Sequence, residues 1–247
     1  LLFVSFLVRI DFRYERSAQS GNLSDGGGFI GGLPVNCPLC SNGRSAPFWR
    51  DARRRYRRCS RCALVFVPPQ YRLSPDEEKR EYDLHRNSPR DAGYRAFLGR
   101  LFFPLAARLR PGAAGLDFGS GPGPTLSGMF AEAGFRMAIY DPYYAPDKRV
   151  LQFSYDFITC SEVVEHLFHP GRDLAALYRM LLPGGRLGVM TKLVIDRRAF
   201  ARWHYKNDPT HVSFFSRKTF RFLAEHLGAN LEFCGRDVIL LQKPEVF

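Results

Sequence analysis

The chain has 247 residues, 45% of them hydrophobic, and a formal net charge of +12. That length suits one ordinary domain of about 150–200 residues with a small appendage, and the apolar fraction excludes a globally disordered chain. No apolar run reaches the roughly eighteen residues of a membrane-crossing helix. The positive charge is local: residues 34–73 hold nine Arg against one Asp, whereas residues 1–33 balance and residues 74–247 carry only +4. A basic excess confined to one short segment points to one anion-facing surface, not to a nucleic-acid coat.

The chain begins with Leu, and its first Met is Met129. Residues 1–33 end in a Gly/Ser-rich stretch and are expected to be a disordered or spurious extension. Residues 34–73 carry Cys37-Pro-Leu-Cys40 and Cys59-Ser-Arg-Cys62, eighteen residues apart. Each pair forms a tight turn presenting two thiolates, and four thiolates make a closed tetrahedral zinc site. A closed site has no open coordination position, so Cys37, Cys40, Cys59 and Cys62 are expected to hold a structural zinc as a zinc ribbon. Paired thiols of this kind belong to a reducing compartment, which places the protein in the cytoplasm. Around them lie Arg50, Arg53, Arg54, Arg55, Arg57, Arg58 and Arg61, interleaved with Phe48, Trp49 and Tyr56. That composition suits RNA or another polyanion, and equally a solvated hairpin.

Residues 74–112 read as a helical linker or lid. Ser74-Pro75-Asp76-Glu77 has the form of a helix start and predicts a helix through about His85. Ser88-Pro89-Arg90-Asp91 repeats the signal, and Leu98, Leu101, Phe102, Leu105 and Leu109 recur at helical spacing. From 113 to 247 short apolar strands alternate with helical stretches. Strands are predicted at 114–118, 136–140, 155–160, 186–193, 231–235 and 238–242, and helices at 124–133, 170–182, 196–205 and 217–227. Alternation of this kind predicts an α/β fold, a mostly parallel Rossmann-like sheet with helices on both faces. The last two strands form an antiparallel pair.

The sharpest motif is Gly115-Leu-Asp-Phe-Gly-Ser-Gly-Pro-Gly123-Pro124. An apolar strand runs into Gly119, Gly121 and Gly123, and a helix follows, so a ligand can approach the main chain closely. Asp141, at the tip of the next strand, stands where a carboxylate accepts hydrogen bonds from a ribose. The third glycine of a dinucleotide loop is replaced by Pro124, and Asp117 would repel a pyrophosphate. No Gly-Lys-Ser/Thr follows, which excludes a P-loop. A cofactor with a ribose, an ammonium and no phosphate fits, and S-adenosylmethionine is one.

Leu116–Gly123 (LDFGSGPG), AIYDP, FITCSEVVEHL and LLPGGRLGV resemble, in this order, the motifs of class I S-adenosylmethionine-dependent methyltransferases. The likeness covers roughly 113–243. It implies a seven-stranded sheet with an antiparallel last strand, and methyl transfer to a small or anionic acceptor. It also implies that Gly119, Gly121 and Gly123 surround the methionine part of the cofactor, Asp117 lies near the amino group and Asp141 binds the ribose. Tyr143 or Tyr144 is the candidate to stack on the adenine, Pro142 is counted with the cofactor-binding residues, and Glu162 falls where cofactor meets acceptor. Only thirteen residues separate Asp141 from Tyr155, so the third strand and the adenine pocket must be abbreviated.

Two clusters offer a base for methyl transfer to a protonated nucleophile. Ser161-Glu-Val-Val-Glu-His166 resembles the E-V-x-E-H segment of ubiquinone-type O-methyltransferases, and Glu162 and His166, four apart, would share a helical face. Trp203-His-Tyr-Lys-Asn-Asp-Pro-Thr-His-Val212 follows the fifth strand at the ligand end of the sheet and resembles a D-P-T-H-V segment that covers the active site in some of these enzymes. His211 is the leading base, with Asp208 as orienting partner. The rival function is RNA binding or RNA methylation through the basic ribbon.

Overall fold

The computed structural model describes residues 35–84 and 88–245. The expectation for residues 1–33 lies outside the described residues. In chain order the elements are β1 (Ser45–Arg50), β2 (Arg55–Cys59), β3 (Val65–Phe66), α1 (Pro75–Tyr82), α2 (Ala92–Ala106), β4 (Ala114–Phe118), α3 (Thr125–Glu132), β5 (Arg136–Tyr140), β6 (Tyr155–Ser161), α4 (Pro170–Arg179), β7 (Leu181–Met190), α5 (Arg197–Ala201), β8 (Ser213–Phe214), α6 (Arg217–Leu227), β9 (Asn230–Cys234) and β10 (Val238–Gln242).

The larger sheet has the order β5-β4-β6-β7-β10-β9. Strands β5, β4, β6 and β7 run parallel, and β10 and β9 are added antiparallel at one edge. The sheet therefore has six strands among the described residues, not seven. Where the third strand of the expected pattern would lie, Asp141 and Ala145 pair locally and Lys148–Gln152 forms a 3-10 turn. Pro142 and Pro146 lack the N–H that a ladder needs. Strand β7 starts earlier than expected, at Leu181, because Leu181 pairs with Tyr155 and the Pro-Gly-Gly stretch, with Gly184 at φ +77, then bulges out before Arg186 pairs with Phe157.

Alternation along the strands supplies two cores. Phe157, Met190, Val238 and Leu240 face α2 and α3, against Leu98, Leu101, Leu105 and Phe130. Ile158, Val189, Ile239 and Leu241 face α4 and α6, against Leu174, Leu177, Phe220 and Leu223. Local signals fix the helix ends. Ser74 and Glu77 form the reciprocal cap expected for α1, and the Asp91 side chain accepts from the Gly93 and Tyr94 amides to start α2. Pro104 lies in the last turn of α2, which ends at Ala106 instead of near Leu109.

The cysteine segment shares both its sheet and its core with the rest of the chain. Strands β1, β2, β3 and β8 form a second, antiparallel sheet, with Val65 opposite Phe214 and Phe66 opposite Ser213. Its apolar side packs Phe48, Tyr56, Val65 and Val67 against Phe200, Tyr205, Val212 and Phe214. The Phe200 ring meets Phe48, Tyr56 and Phe214 edge-on at 5.1–5.4 Å. Cys37, Cys59, Cys62, Leu64 and Phe66 join the α4/α6 core. No helix among the described residues is long and apolar enough to cross a membrane.

Gly115 shows how tightly the central strands are filled. It pairs with Phe157 across β4 and β6, and a Cβ there would lie 2.2 Å from the Phe157 ring. Alanine normally suits a strand at least as well as glycine. Here Gly115→Ala is expected to destabilise the protein by about 1–3 kcal/mol through overpacking, read as a lower urea midpoint with an unchanged slope.

Candidate active site and the cysteine cluster

Strand β4 ends in the glycine loop. Gly119 takes φ +76 and Gly121 φ +63, the left-handed region that favours glycine. A Cβ on Gly119 would lie 2.5 Å from Val163, whereas the space beside Gly121 is open. Asp141 is 7% exposed, and its carboxylate accepts from the Gly121, Tyr143 and Tyr144 amides at 3.0, 2.9 and 3.1 Å. Three of its roughly four acceptor positions are thus used in shaping the loop, which leaves one for a ligand hydroxyl. Tyr143 and Tyr144 reach across to α1, donating to Glu78 at 3.2 Å and to Asp83 at 2.6 Å.

These groups line one end of a cavity of about 1800 Å³, more than the roughly 300–1,000 Å³ of a single-ligand site. Gly119, Gly121, Asp141, Pro142, Tyr143, Glu162, His166, Asp208 and His211 all line it. Asp117 and Gly123 do not. Asp117 lies beneath the loop, 3% exposed, and accepts from the Thr159 hydroxyl at 2.7 Å. Burial pushes its carboxyl up to about 6, against the hydrogen bonds from Thr159 and Ser127. Asp117 thus ties the end of β4 to β6 and to the start of α3.

Glu162 and His166 do not share a helical face. Glu162 takes φ +52 at the end of β6, and only Val164–His166 forms a 3-10 turn. The left-handed backbone turns Glu162 into the cavity. Its Oε1 is buried with no hydrogen-bond partner, and its Oε2 accepts from the Tyr205 hydroxyl at 3.3 Å. The same hydroxyl lies 2.5 Å from Glu165 and 3.2 Å from Thr191, and Thr191 donates to Glu165 at 2.9 Å. Glu165 is fully buried. Burial and then the charge of Glu162 raise Glu165 to about 8, and burial raises Glu162 to about 7 against Lys192 and Tyr205. Two carboxyl groups around one phenol thus hold a proton near neutral pH. Glu165, a residue that the sequence pattern did not single out, is the innermost member of the chain.

His211 is 7% exposed, and its Nδ1 lies 2.7 Å from the Tyr205 carbonyl. A carbonyl only accepts, so Nδ1 carries the hydrogen and Nε2 presents a lone pair. Nε2 is 3.6 Å from Asp208. The Tyr205 carbonyl, and not Asp208, therefore orients the ring, and Asp208 stands as a counter-ion to any proton taken up at Nε2. Burial pushes the His211 imidazole down to about 4, against the attraction of Asp208. Burial works against charge on Asp208 as well, but His211 and two hydrogen bonds from Thr210 keep its carboxyl below the ordinary value.

The loop bearing Asp208 and His211 is held by Arg54, 6% exposed, from the turn between β1 and β2. Its guanidinium donates to the carbonyls of Lys206 and Asp208 at 2.5 Å each, to Pro209 at 2.9 Å, and to the Tyr56 hydroxyl at 3.0 Å. Asp51 accepts from the Arg54 amide and the Tyr56 hydroxyl, both at 2.9 Å. Of the other members of the basic run, half-buried Arg57 bonds to Ser45, while the exposed Arg58 and Arg61 lie over the Phe48 and Phe222 rings. The run is thus partly spent inside the protein, which a charge count cannot reveal.

The four paired thiols are unoxidised and their sulfurs all lie within 4.8 Å of one another. Cys37–Cys62 and Cys40–Cys59 approach to 3.5 Å, against the about 3.8 Å between thiolates around a tetrahedral zinc. The two turns match. Ser41 and Ala63, each following a second cysteine, take φ +56 and +61, and their amides donate to the carbonyls of Cys37 and Cys59. The donor set and its spacing fit a single metal ion.

A glycine loop and an acidic strand tip beside one large cavity, on a parallel sheet closed by an antiparallel hairpin, make up the arrangement of class I S-adenosylmethionine-dependent methyltransferases. A family model described as a methyltransferase domain matches residues 88–232, more than half of the sequence, and the chain belongs to that family. Among solved structures it is similar to a magnesium protoporphyrin IX methyltransferase from Synechocystis with bound SAH, at 14% identity over 68% of this chain and 93% of that one, with a TM-score of 0.47. It is also similar to an O-methyltransferase family protein from Burkholderia thailandensis, at 12% identity over 61% of this chain and TM-score 0.47. The match spans 56% of the length of the Burkholderia protein. No curated protein sequence matches the chain significantly.

Removing the Arg54 guanidinium would take a charged donor from three backbone carbonyls, leaving those of Lys206 and Asp208 only the longer bonds from the Tyr56 hydroxyl and the His211 amide, at 3.2 and 3.4 Å. Arg54→Met is expected to cost about 3 kcal/mol or more in urea unfolding. Arg54→Lys should recover little of it, because one ammonium cannot reproduce a planar fork.

Proposed function

We propose that the protein transfers a methyl group from S-adenosylmethionine to a protonated nucleophile on a small acceptor, with Glu162 as general base. The carrying observation is Glu162 Oε1, a buried carboxylate oxygen with no partner, on the wall of the cavity that also holds the glycine loop. Asp141 would accept a ribose hydroxyl, Tyr143 and Pro142 would flank the adenine, and the backbone around Gly119 and Gly121 would lie against the methionine part. When bound, S-adenosylmethionine supplies an electrophilic methyl group on a sulfonium. Around it, the residues of this chain orient the acceptor, exclude water and take its proton.

A base is most effective when its pKa lies near the working pH. Glu162, raised to about 7, meets that condition better than His211, lowered to about 4. The proton taken at Glu162 is shared through the Tyr205 hydroxyl with Glu165. His211 is then a positioning and electrostatic group, its Nε2 and Asp208 bounding the acceptor space. The resemblance of Glu162–His166 to ubiquinone-type O-methyltransferases favours a hydroxyl as the group methylated. Cys37, Cys40, Cys59 and Cys62 would hold a zinc ion that fixes the ribbon and takes no part in the chemistry, four thiolates leaving it no open position.

Calorimetry with S-adenosylhomocysteine tests the cofactor assignment. Micromolar-range binding is expected for the intact chain, weakened at least tenfold in Asp141→Ala. No binding by the folded protein, or equal binding by Asp141→Ala, contradicts the assignment. The base assignment is read from the pH profile. Glu162 is active only when ionised, so turnover should rise with pH and level off above about 7, and Glu162→Gln should abolish that rise while still binding S-adenosylhomocysteine.

A further inference from the structure

One wall of the cavity is cationic. Arg72, in the segment between β3 and α1, lines the cavity with its guanidinium 4.9 Å from the Phe168 ring centroid. Its Nε is buried without a hydrogen-bond partner, and among the described residues it forms no ion pair within 4 Å. Arg172 and His169, from the start of α4, line the same wall. The three are close enough that the two arginines, after burial, push the His169 imidazole below its ordinary value. Two acids lie beside them, and the charge of Glu78 acts on Arg72 without a hydrogen bond between the two. Asp173 is engaged by Arg172 at 2.9 Å, and burial raises Glu78 to about 7, where it accepts from Tyr143.

Burying a cationic donor without an acceptor is costly. A guanidinium stacked on an aromatic face, with open N–H groups beside a cavity, is built to meet a planar or tetrahedral oxyanion. The segments bearing Arg72 and Arg172 contribute nothing to the glycine loop or to Asp141, so this anion is separate from the ribose contacts. Resting on the function proposed above, we propose that the acceptor carries an anionic group, a carboxylate or a phosphate, that is held by Arg72 and Arg172 and thereby presents its nucleophile to Glu162.

The test is calorimetry on the full chain with and without saturating S-adenosylhomocysteine, using inorganic phosphate and benzoate as separate probes. Saturable binding of one probe is expected, and which one binds identifies the oxyanion. Arg72→Met, which keeps the aliphatic contact with Phe168 and removes the charge, should weaken it at least tenfold, and Arg72→Lys should restore part. Arg172→Met gives a second reading if Arg72→Met does not fold. S-adenosylhomocysteine, which carries a carboxylate of its own, should bind equally to all variants; tenfold weaker binding to Arg72→Met or Arg172→Met would assign the wall to the donor's carboxylate and overturn the proposal. The proposal is overturned if neither probe binds saturably, or if both charge-removing variants bind like the unaltered chain. Loss of S-adenosylhomocysteine binding by the unaltered chain would instead overturn the methyl-donor assignment, and the probe titrations without it would still decide the anion site.

Discussion

The site is assembled across the chain by the fork of hydrogen bonds from Arg54. The guanidinium comes from the hairpin of the cysteine segment, and its acceptors are the carbonyls of Lys206, Asp208 and Pro209, more than 150 residues later. Carbonyls in a turn of this kind have no ladder to join, and buried ones need donors. One planar side chain with five N–H groups supplies three of them at once. With the loop so held, Val212 is clasped from both sides: its amide donates to the Glu165 carbonyl and its carbonyl accepts from the Val67 amide. The cysteine segment therefore backs the loop whose Asp208 and His211 line the cavity. The four-thiol cluster and the geometry at His211 are linked through β1, β2 and β3.

The second constraint is electrostatic. Glu162, Glu165 and Tyr205 crowd two carboxyl groups around one hydroxyl. Like charges so close cannot both persist in a dry site, so one proton is retained near neutral pH. Retention costs stability, since unfolding would free both groups to ionise. The return is a carboxylate poised to exchange its proton at the pH where the protein works. The left-handed backbone at Glu162 serves the same end, because an extended residue at that point would continue β6 and turn the side chain away.

Much of the parallel sheet was legible because its signals are local. The strands at 114–118, 136–140 and 238–242, the helix at 217–227 and the Ser74 cap follow from apolar period and cap chemistry within a few residues. The glycine loop and Asp141 were legible for the same reason. What escaped depended on distant partners. Arg54 reads as one arginine among nine, and nothing near it in sequence announces the loop that it holds. Glu165 reads as one acid in a motif, while its complete burial follows from Tyr205 and Thr191. The shared helical face of Glu162 and His166 failed because a positive φ replaced the first helical turn. The strand at 186–193 was displaced because a bulge, invisible to periodicity, keeps Leu181–Arg186 in the sheet while Thr191 leaves it.

The central claim is that the cysteine cluster and the acceptor wall are one mechanical unit joined by Arg54. Hydrogen exchange before and after chelation of metal from the full chain tests it most directly. Amides in 37–66 and in 204–212 should lose protection together, while those of β4, β6 and β7 keep theirs. Unchanged protection in 204–212, with the cysteine segment open to exchange, would contradict the account.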